Sequence, residues 1–145
     1  MLKLSRIGSD FMKENKYICS NRSVNYRYHI ESVIQETKQQ ILDFFEVEDD
    51  GRFNYTIYVY DTIEQLKQGL KIRGFDNMPQ YMCACFKDED ASLNFYEPID
   101  EASENEWTKE EYDLVIFHEL IHAIEHTIYG EQPEWLSEGI AKYLD

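Results

Sequence analysis

The sequence is poor in cysteine, proline, glycine and basic residues, and it contains no long apolar run. Its three cysteines, Cys19, Cys83 and Cys85, are an odd number without the spacing of a disulfide framework, which excludes a small secreted domain held by disulfides. No apolar run approaches the roughly 20 residues that span a bilayer, and the N-terminus lacks the apolar core of a signal peptide. We therefore expect a soluble, cytoplasmic protein.

Positive charge is scarce throughout the chain. There are 14 lysine and arginine residues against 29 aspartate and glutamate residues, which gives a formal net charge of −15. Nucleic acids and anionic membranes are bound mainly through clustered lysine and arginine side chains. We therefore expect neither nucleic acid nor a membrane surface as a partner.

Apolar and aromatic residues, by contrast, are plentiful. They make up 43% and 14% of the 145 residues, which is enough to build a hydrophobic core and far more than a disordered segment contains. A chain of this length corresponds to one domain of common size. We expect a single globular domain over residues 1–145, either complete or part of a longer chain.

The first half of the chain alternates between strand and helix patterns. Lys16–Cys19 is predicted to be a short strand. From about Val24, apolar residues recur every three or four positions, as in an amphipathic helix, until the acidic and glycine cluster at 48–51. Residues 53–60 alternate between apolar and polar side chains and favour a strand. Thr62 lies in a sequence typical of a helix start, so a short second helix is expected there.

The second half predicts a β-hairpin followed by a long helix. Residues 81–86 and 92–96 are the predicted strands of the hairpin, and a polar turn joins them. The long helix begins at Thr108, which with Glu111 forms a capping box. It ends at Gly130, since glycine readily adopts the backbone conformation that stops a helix.

A last helix is predicted from Pro133 to about Leu144. Proline suits this position because its fixed backbone angle matches the first turn of a helix. Strands and helices come first along the chain, and two consecutive helices follow. This order indicates an α+β fold.

The long predicted helix carries the sequence His118-Glu119-Leu120-Ile121-His122. Residues four apart on a helix differ by about 40° in direction and by roughly 6 Å along the axis, so both imidazoles leave one face and can bind one ion. Glu119 lies beside them, where its carboxylate can reach a metal-bound water without occupying a coordination position. Zinc hydrolases combine two neutral imidazoles with such a base. The alternative is that both histidines are ordinary helix residues with satisfied hydrogen bonds.

The third predicted ligand is Glu138. Catalytic zinc commonly has three protein ligands, and two histidines with one glutamate are a known set. Glu138 follows His122 by 16 residues and lies on the next predicted helix, which the turn at 130–133 allows to fold back on the first. The alternative is a solvated carboxylate. Gly139 is expected to permit close approach of the two helices. Four apolar residues are expected to anchor the second helix in the core: Trp135, Leu136, Ile140 and Tyr143.

The segments His-Glu-Leu-Ile-His and Trp-Leu-Ser-Glu-Gly-Ile-Ala, at 118–122 and 135–141, resemble the gluzincin metallopeptidases, especially the compact bacterial peptidase MA-like group. The strong similarity covers about residues 111–143. The order of strands and helices before it resembles, more loosely, the upper half of the zincin fold. In this family the glutamate of the second segment is the third zinc ligand, and Glu138 matches it here.

The resemblance implies a zincin-like α+β domain with a small mixed sheet, packed helices and an active-site helix followed by a helix with the glutamate ligand. It implies a Zn²⁺-dependent peptidase that acts on peptides or proteins. His118, His122 and Glu138 would hold the zinc, and Glu119 would be the general base. It also implies an edge strand within residues 81–96 that lies along the cleft and pairs with the substrate backbone.

Two features depart from the family pattern. The chain ends seven residues after Glu138, whereas family members usually continue into a helical lower lobe that supplies a tyrosine or histidine to stabilise the oxyanion. Lys142 stands one turn after Glu138, where some gluzincins have a carboxylate that orients a histidine. The alternative function is therefore a non-catalytic zinc-binding or interaction domain, a pseudo-peptidase without its substrate lobe.

Four other residues near the motif are candidate site residues. His126 lies about 12 Å along the helix axis from His118, too far to share one ion, and is predicted to be beside the ligands or at the surface. Glu125 could orient an imidazole, although a solvated carboxylate is the favoured interpretation. Tyr129 and Tyr143 are the nearby phenols that could stabilise an oxyanion, although core packing is favoured for both.

Two remaining features receive a structural interpretation. His29 falls in the first predicted helix and is expected to support the fold. Cys83 and Cys85 have the spacing of a soft-metal or redox pair, but small residues that alternate along a strand explain that spacing equally well.

Overall fold

A four-stranded mixed sheet is the framework of the fold. The computed structural model describes residues 14–76, 78–79, 82–99 and 107–144. The strands are β1 (Lys16–Cys19), β2 (Thr56–Tyr60), β3 (Cys85–Lys87) and β4 (Ser92–Tyr96), in the order β1-β2-β4-β3. Strand β2 runs parallel to both β1 and β4, and β3 pairs antiparallel with β4 at one edge. The predicted hairpin is therefore confirmed.

Helices account for most of the remaining structure. They are α1 (Tyr26–Phe45), α2 (Ile63–Ile72), α3 (Lys109–Tyr129) and α4 (Glu134–Leu144), and a 3-10 turn at Arg22–Val24 precedes α1. This combination of helices and strands confirms the α+β prediction at the level of fold class. None of the helices in the described part of the chain is both long and apolar enough to cross a membrane.

Helices α2 and α3 lie on opposite faces of the sheet. Side chains alternate between faces along a strand, so Tyr55 and Ile57 share one face and Tyr60 lies on the other. The Tyr55 hydroxyl is 2.7 Å from the Thr127 hydroxyl of α3. Tyr60 instead packs on α2 at Gly69, so closely that a Cβ atom at this glycine would overlap the tyrosine ring.

The core lies between the sheet and the packed pair of helices α1 and α3. Apolar residues spaced three or four apart give each helix one buried side, as the sequence periodicity predicts. The fully buried residues include Ile30, Ile41 and Leu42 of α1, Ile57, Leu93 and Phe95 of the sheet, and Tyr112, Ile116, Leu120, Ile121 and Ile124 of α3. This packing orients α3, so its other side faces outward.

The first long helix is shorter than predicted. Val24 belongs to the 3-10 turn, and α1 itself ends at Phe45 rather than at 48–51. The reason for the early end is local. Glu46 adopts a left-handed conformation with φ of 56°, and its N–H returns to the carbonyl groups of Asp43 and Leu42, which satisfies the end of the helix.

The strands β2 and β3 also differ from their predicted extents. Strand β2 begins at Thr56 rather than at residue 53, because the Tyr55 N–H donates to the Asn15 side chain at 2.7 Å. Strand β3 begins at Cys85, because the Cys83 carbonyl accepts a hydrogen bond from a side chain of α3. Residue 81, the predicted start of that strand, lies outside the described residues.

Helix α4 is less buried than predicted. Trp135 and Tyr143 were expected to be core anchors, but they are 76% and 79% exposed. Leu136 and Ile140 are only half-buried, and Ala141 is the buried residue of the helix. The physical reason is that α4 packs chiefly against α3, so one narrow side of the helix is covered.

Candidate metal centre

Both ends of helix α3, the helix that carries the two histidines, lie where the sequence predicts them. Thr108 Oγ accepts a hydrogen bond from the Glu111 N–H at 3.2 Å, and Glu111 Oε1 accepts one from the Thr108 N–H at 3.0 Å. This is the predicted capping box. At the other end Gly130 has φ of 74°, which glycine adopts without strain.

The structure brings His118, His122 and Glu138 together. The Nε2 atoms of the two histidines are 3.1 Å apart. The Glu138 carboxylate oxygens lie 3.2 Å from His118 Nε2 and 3.1 Å from His122 Nε2. Among the residues that the structure describes, these three form the single group of three or more histidine, cysteine or acidic side chains that could hold a metal ion.

Glu138 reaches the histidines because α4 folds back against α3 after Gly130. The N–H of Leu136 donates to the Pro133 carbonyl at 3.0 Å in the first turn of α4, in agreement with the predicted helix start. Gly139 does not act as predicted. A Cβ added there would meet no atom within 4 Å, so the prediction that the two helices approach closely at this glycine is wrong.

The donor atoms and their spacing are compatible with Zn²⁺. Zinc binds imidazole nitrogen and carboxylate oxygen at about 2.0–2.2 Å, so tetrahedral ligand atoms stand roughly 3.3–3.6 Å apart. The separations of 3.1–3.2 Å between neighbouring donors are slightly below that range, so a small outward shift of the side chains would accommodate the ion. The side chains of His118 and His122 are 23% and 15% exposed, and that of Glu138 is 44% exposed, so solvent and a ligand can still reach the centre.

The environment of His122 favours its neutral form. Burial lowers the pKa of His122, the Glu138 carboxylate opposes that shift, and His118 adds to it, with burial the largest effect. A neutral imidazole keeps the lone pair that a metal needs.

Glu119 lies beside the three residues and contacts the edge strand. Its Oε1 accepts a hydrogen bond from the backbone N–H of Phe86 at 3.0 Å. Phe86 is in the middle of β3, the strand at the sheet edge. Glu119, His122 and Glu138 line a cleft of about 870 Å³ together with β3, which is a volume typical of ligand-binding sites.

Glu125 is buried rather than solvated, so the favoured sequence interpretation of this residue is wrong. It is 3% exposed, and its Oε1 accepts a hydrogen bond from Ser137 Oγ at 2.6 Å. Ser137 Oγ also lies 2.8 Å from His122 Nδ1. The sequence shows Ser137 only as the residue before Glu138, and nothing in it indicates this contact.

His126 stands apart from the three potential ligands, as predicted from its distance along the helix. Its Nε2 lies 3.4 Å from Asp88 Oδ2, and its ring packs on Phe86. His29 joins two helices, since its Nε2 is 2.6 Å from Asp113 Oδ1. This contact agrees with the structural role expected for His29.

Tyr129 and Tyr143 are neither core residues nor part of the cleft. They are 54% and 79% exposed, so the favoured prediction of core packing is wrong for both. Their rings contact Phe45 and Phe44 of α1, and neither lines the cleft. Helix α4 covers too little surface to bury them.

The cysteines are free thiols. Burial raises the pKa of Cys83 to about 11 and that of Cys85 to about 12, and the Glu119 carboxylate acts in the same direction on both. Such thiols hold their protons at neutral pH and are poor metal ligands and nucleophiles. The interpretation as spacing along a strand agrees with Cys85 in β3.

The chain matches no protein-family model, no curated protein and no solved structure. Inference about function therefore depends on the chemistry of the cleft itself. Its two imidazoles and one carboxylate converge within ligand distance, and a second carboxylate is fixed to the adjoining strand.

Proposed function

We propose that this protein is a gluzincin-like zinc-dependent peptidase of zincin-like architecture, in which His118, His122 and Glu138 hold Zn²⁺ and Glu119 is the general base. The observation that carries the proposal is the convergence of two imidazole nitrogens and a carboxylate at 3.1–3.2 Å from one another. This donor set leaves a coordination position open, as catalytic zinc requires.

Zinc, when bound, would lower the pKa of a water molecule and polarise the carbonyl group of a peptide bond. Glu119 would accept the proton of the attacking water and deliver it to the leaving amine. Its hydrogen bond from the Phe86 N–H supports this role, because a carboxylate held at one oxygen loses less orientational freedom when it acts as a base.

The cleft suits an extended peptide. Strand β3 lies at the sheet edge, and Cys85, Phe86 and Lys87 of this strand line the cleft. The Phe86 N–H points toward α3 instead of toward β4, since it bonds Glu119. Because this N–H is already bonded to Glu119, a substrate added to the edge as a further strand would pair with other main-chain groups of β3.

A non-catalytic zinc-binding domain is the second candidate. It is favoured by one observation: no tyrosine in the described part of the chain lines the cleft, so none of these phenols is available to stabilise an oxyanion. The donor set would serve a structural or interaction role equally well, whereas only catalysis requires Glu119.

The deciding experiment measures zinc content and hydrolysis of a broad peptide library by the wild type and by Glu119→Gln. The variant preserves the size of the side chain but removes the base, so zinc content should hold while the rate falls by on the order of 10²–10⁴. Glu110→Gln, at an exposed residue of the same helix outside the cleft, is the matched control and should retain activity.

Three outcomes would change the proposal. A wild type that takes up no zinc would refute the metal centre. A wild type that binds zinc but cleaves no peptide would favour the non-catalytic domain. Equal cleavage rates in the wild type and in Glu119→Gln would remove Glu119 from the role of general base.

A further inference from the structure

A buried carboxylate on α3 is not used by the proposed reaction. Glu125 is 3% exposed, and its Oε2 has no hydrogen-bond partner within the part of the chain that the structure describes. Burial of a carboxylate is costly unless it is hydrogen bonded, and among the described residues the Glu125 carboxylate is hydrogen bonded to Ser137. Because the burial of the Glu125 carboxylate is costly and it lies beside the proposed metal centre, we expect it to have a role toward the three ligands.

Ser137 joins this carboxylate to His122. A serine hydroxyl has a single proton to donate. At 2.6 Å from Glu125 Oε1, Ser137 Oγ donates that proton to the carboxylate. Ser137 must therefore accept at its contact with His122 Nδ1, which lies 2.8 Å away. The direction of the first hydrogen bond fixes the direction of the second.

This direction determines which ring nitrogen of His122 carries the proton. When Nδ1 is the donor to Ser137, the neutral imidazole has its lone pair on Nε2. That Nε2 atom is the one that faces Glu138 Oε2 at 3.1 Å. Free neutral histidine prefers the opposite arrangement, with its proton on Nε2, so the protein must select this tautomer.

We propose that Glu125 and Ser137 are positioning residues that hold His122 in its Nδ1–H tautomer, with Nε2 directed at the metal position. The inference rests on the proposed zinc centre for its purpose. The link through Ser137 acts on the tautomer with or without zinc, whereas in the metal-free protein the Glu138 carboxylate, 3.1 Å from Nε2, favours the opposite tautomer. Ser137 precedes Glu138 in α4, so one turn of this helix supplies both the third ligand and the link that orients the second. The packing of α4 on α3 therefore brings both residues to the proposed centre.

The first test is nitrogen NMR of the metal-free protein with labelled histidine near neutral pH. In the wild type the His122 signals should show a populated Nδ1–H tautomer, even though the Glu138 carboxylate 3.1 Å from Nε2 favours a proton on that atom. Ser137→Ala removes the acceptor, and the population should move toward the Nε2–H tautomer. Glu125→Gln can donate to Ser137 and so reverse the hydrogen-bond chain, which should also populate the Nε2–H tautomer.

The second test is zinc affinity, measured by competition with a chelator. Partners of a metal-bound histidine typically contribute about 10–100-fold in affinity, so Ser137→Ala and Glu125→Gln should bind zinc more weakly by about that factor. Ser137→Thr retains a hydroxyl and should return affinity to within about threefold of the wild type. Glu131→Gln makes the same charge change as Glu125→Gln, in the same cleft but without a contact to His122. This control should bind zinc with the affinity of the wild type.

The outcomes separate this inference from the proposed function. A wild type that binds no zinc would refute the zinc centre, and the tautomer measurement would still decide whether the relay sets His122. The inference is overturned if Ser137→Ala retains both the tautomer and the affinity of the wild type. It is also overturned if Ser137→Ala loses the tautomer, the zinc affinity and thermal stability together and Ser137→Thr restores neither the tautomer nor the affinity. The role of Ser137 would then be structural.

Discussion

Glu119 and Phe86 are joined by a hydrogen bond of 3.0 Å between a carboxylate oxygen and a backbone N–H. The bond links helix α3 to the edge strand β3 across 33 residues of sequence. Helix geometry places Glu119 beside His118, but the strand determines where its carboxylate is held. The proposed base is therefore a product of two elements that meet only in the folded protein.

Glu119→Asp should impair the reaction even though it retains a carboxylate. Removal of one methylene withdraws the oxygens by roughly 1.5 Å and breaks the contact with the Phe86 N–H. A misplacement of this size can cost on the order of 10² in rate, so kcat/KM for a peptide substrate should fall by about that factor. Zinc content should not change. Full activity in Glu119→Asp would show that the contact with β3 does not orient the base.

His118→Ala and His122→Ala should each reduce zinc from about one ion per chain to near zero, because two remaining protein ligands rarely hold the metal. His126→Ala is the matched control on the same helix, since His126 contacts Asp88 instead of the three potential ligands. Metal analysis of the purified proteins provides the measurement. Equal zinc in the His122→Ala variant and the wild type would contradict the assignment.

Cys83 and Cys85 should react slowly with iodoacetamide in the native protein. Burial raises the pKa of Cys83 from its ordinary value near 9 to about 11, so at pH near 8 its thiolate population is lower by about 100-fold than that of an exposed thiol. Mass spectrometry of native and urea-unfolded samples measures each site. Native rates equal to the unfolded rates would contradict the burial of these thiols.

The same pKa shifts predict the direction of alkaline stability. Because the folded pKa of Cys85 is raised to about 12, folding favours the protonated thiol. That contribution to stability is fully present below the unfolded pKa near 9 and is lost as pH rises toward 12. The free energy of unfolding, measured with urea, should therefore decrease between these values. A change of Cys85 to serine should make the decrease shallower, and an unchanged slope would exclude a contribution from this thiol.

Tyr112→Phe should destabilise the protein by about 1–3 kcal/mol, because it removes a buried group with two hydrogen bonds. The Tyr112 hydroxyl donates to the Cys83 carbonyl at 2.7 Å and accepts from the Tyr96 N–H at 3.1 Å. These bonds tie α3 to the hairpin that borders the cleft. Tyr143→Phe, at an exposed site, should cost less than about 0.5 kcal/mol. Similar urea midpoints for the two variants would contradict the role of Tyr112.

The predictions that agree with the structure depend on local geometry. The Thr108 and Glu111 capping box, the stop at Gly130 and the hairpin strand Ser92–Tyr96 are set by residues close in sequence. The positions of His118 and His122 on one helix face follow from the helical repeat alone. Such features require no knowledge of what packs against them.

Most of the predictions that were wrong concern burial. Aromatic side chains favour burial, which predicts Trp135 and Tyr143 in the core, but α4 has too small a contact surface to cover them. Most glutamates are exposed, which favours a solvated Glu125, yet this residue is enclosed where α4 folds over α3. Neither composition nor periodicity reveals how much of a helix surface its neighbours cover.

The sequence by itself determined the helix that carries the histidines, its two ends, and the common direction of His118 and His122, because residues four apart on a helix share a side. Tertiary structure alone decided that the Glu138 carboxylate lies 3.1–3.2 Å from both imidazoles, that Phe86 holds Glu119, and that Ser137 connects Glu125 to His122. The contact of Glu125 with Ser137 spans 12 residues of sequence, and that of Glu119 with Phe86 spans 33. Contacts between separate elements depend on how helices and strands pack, and local backbone preferences do not encode that packing.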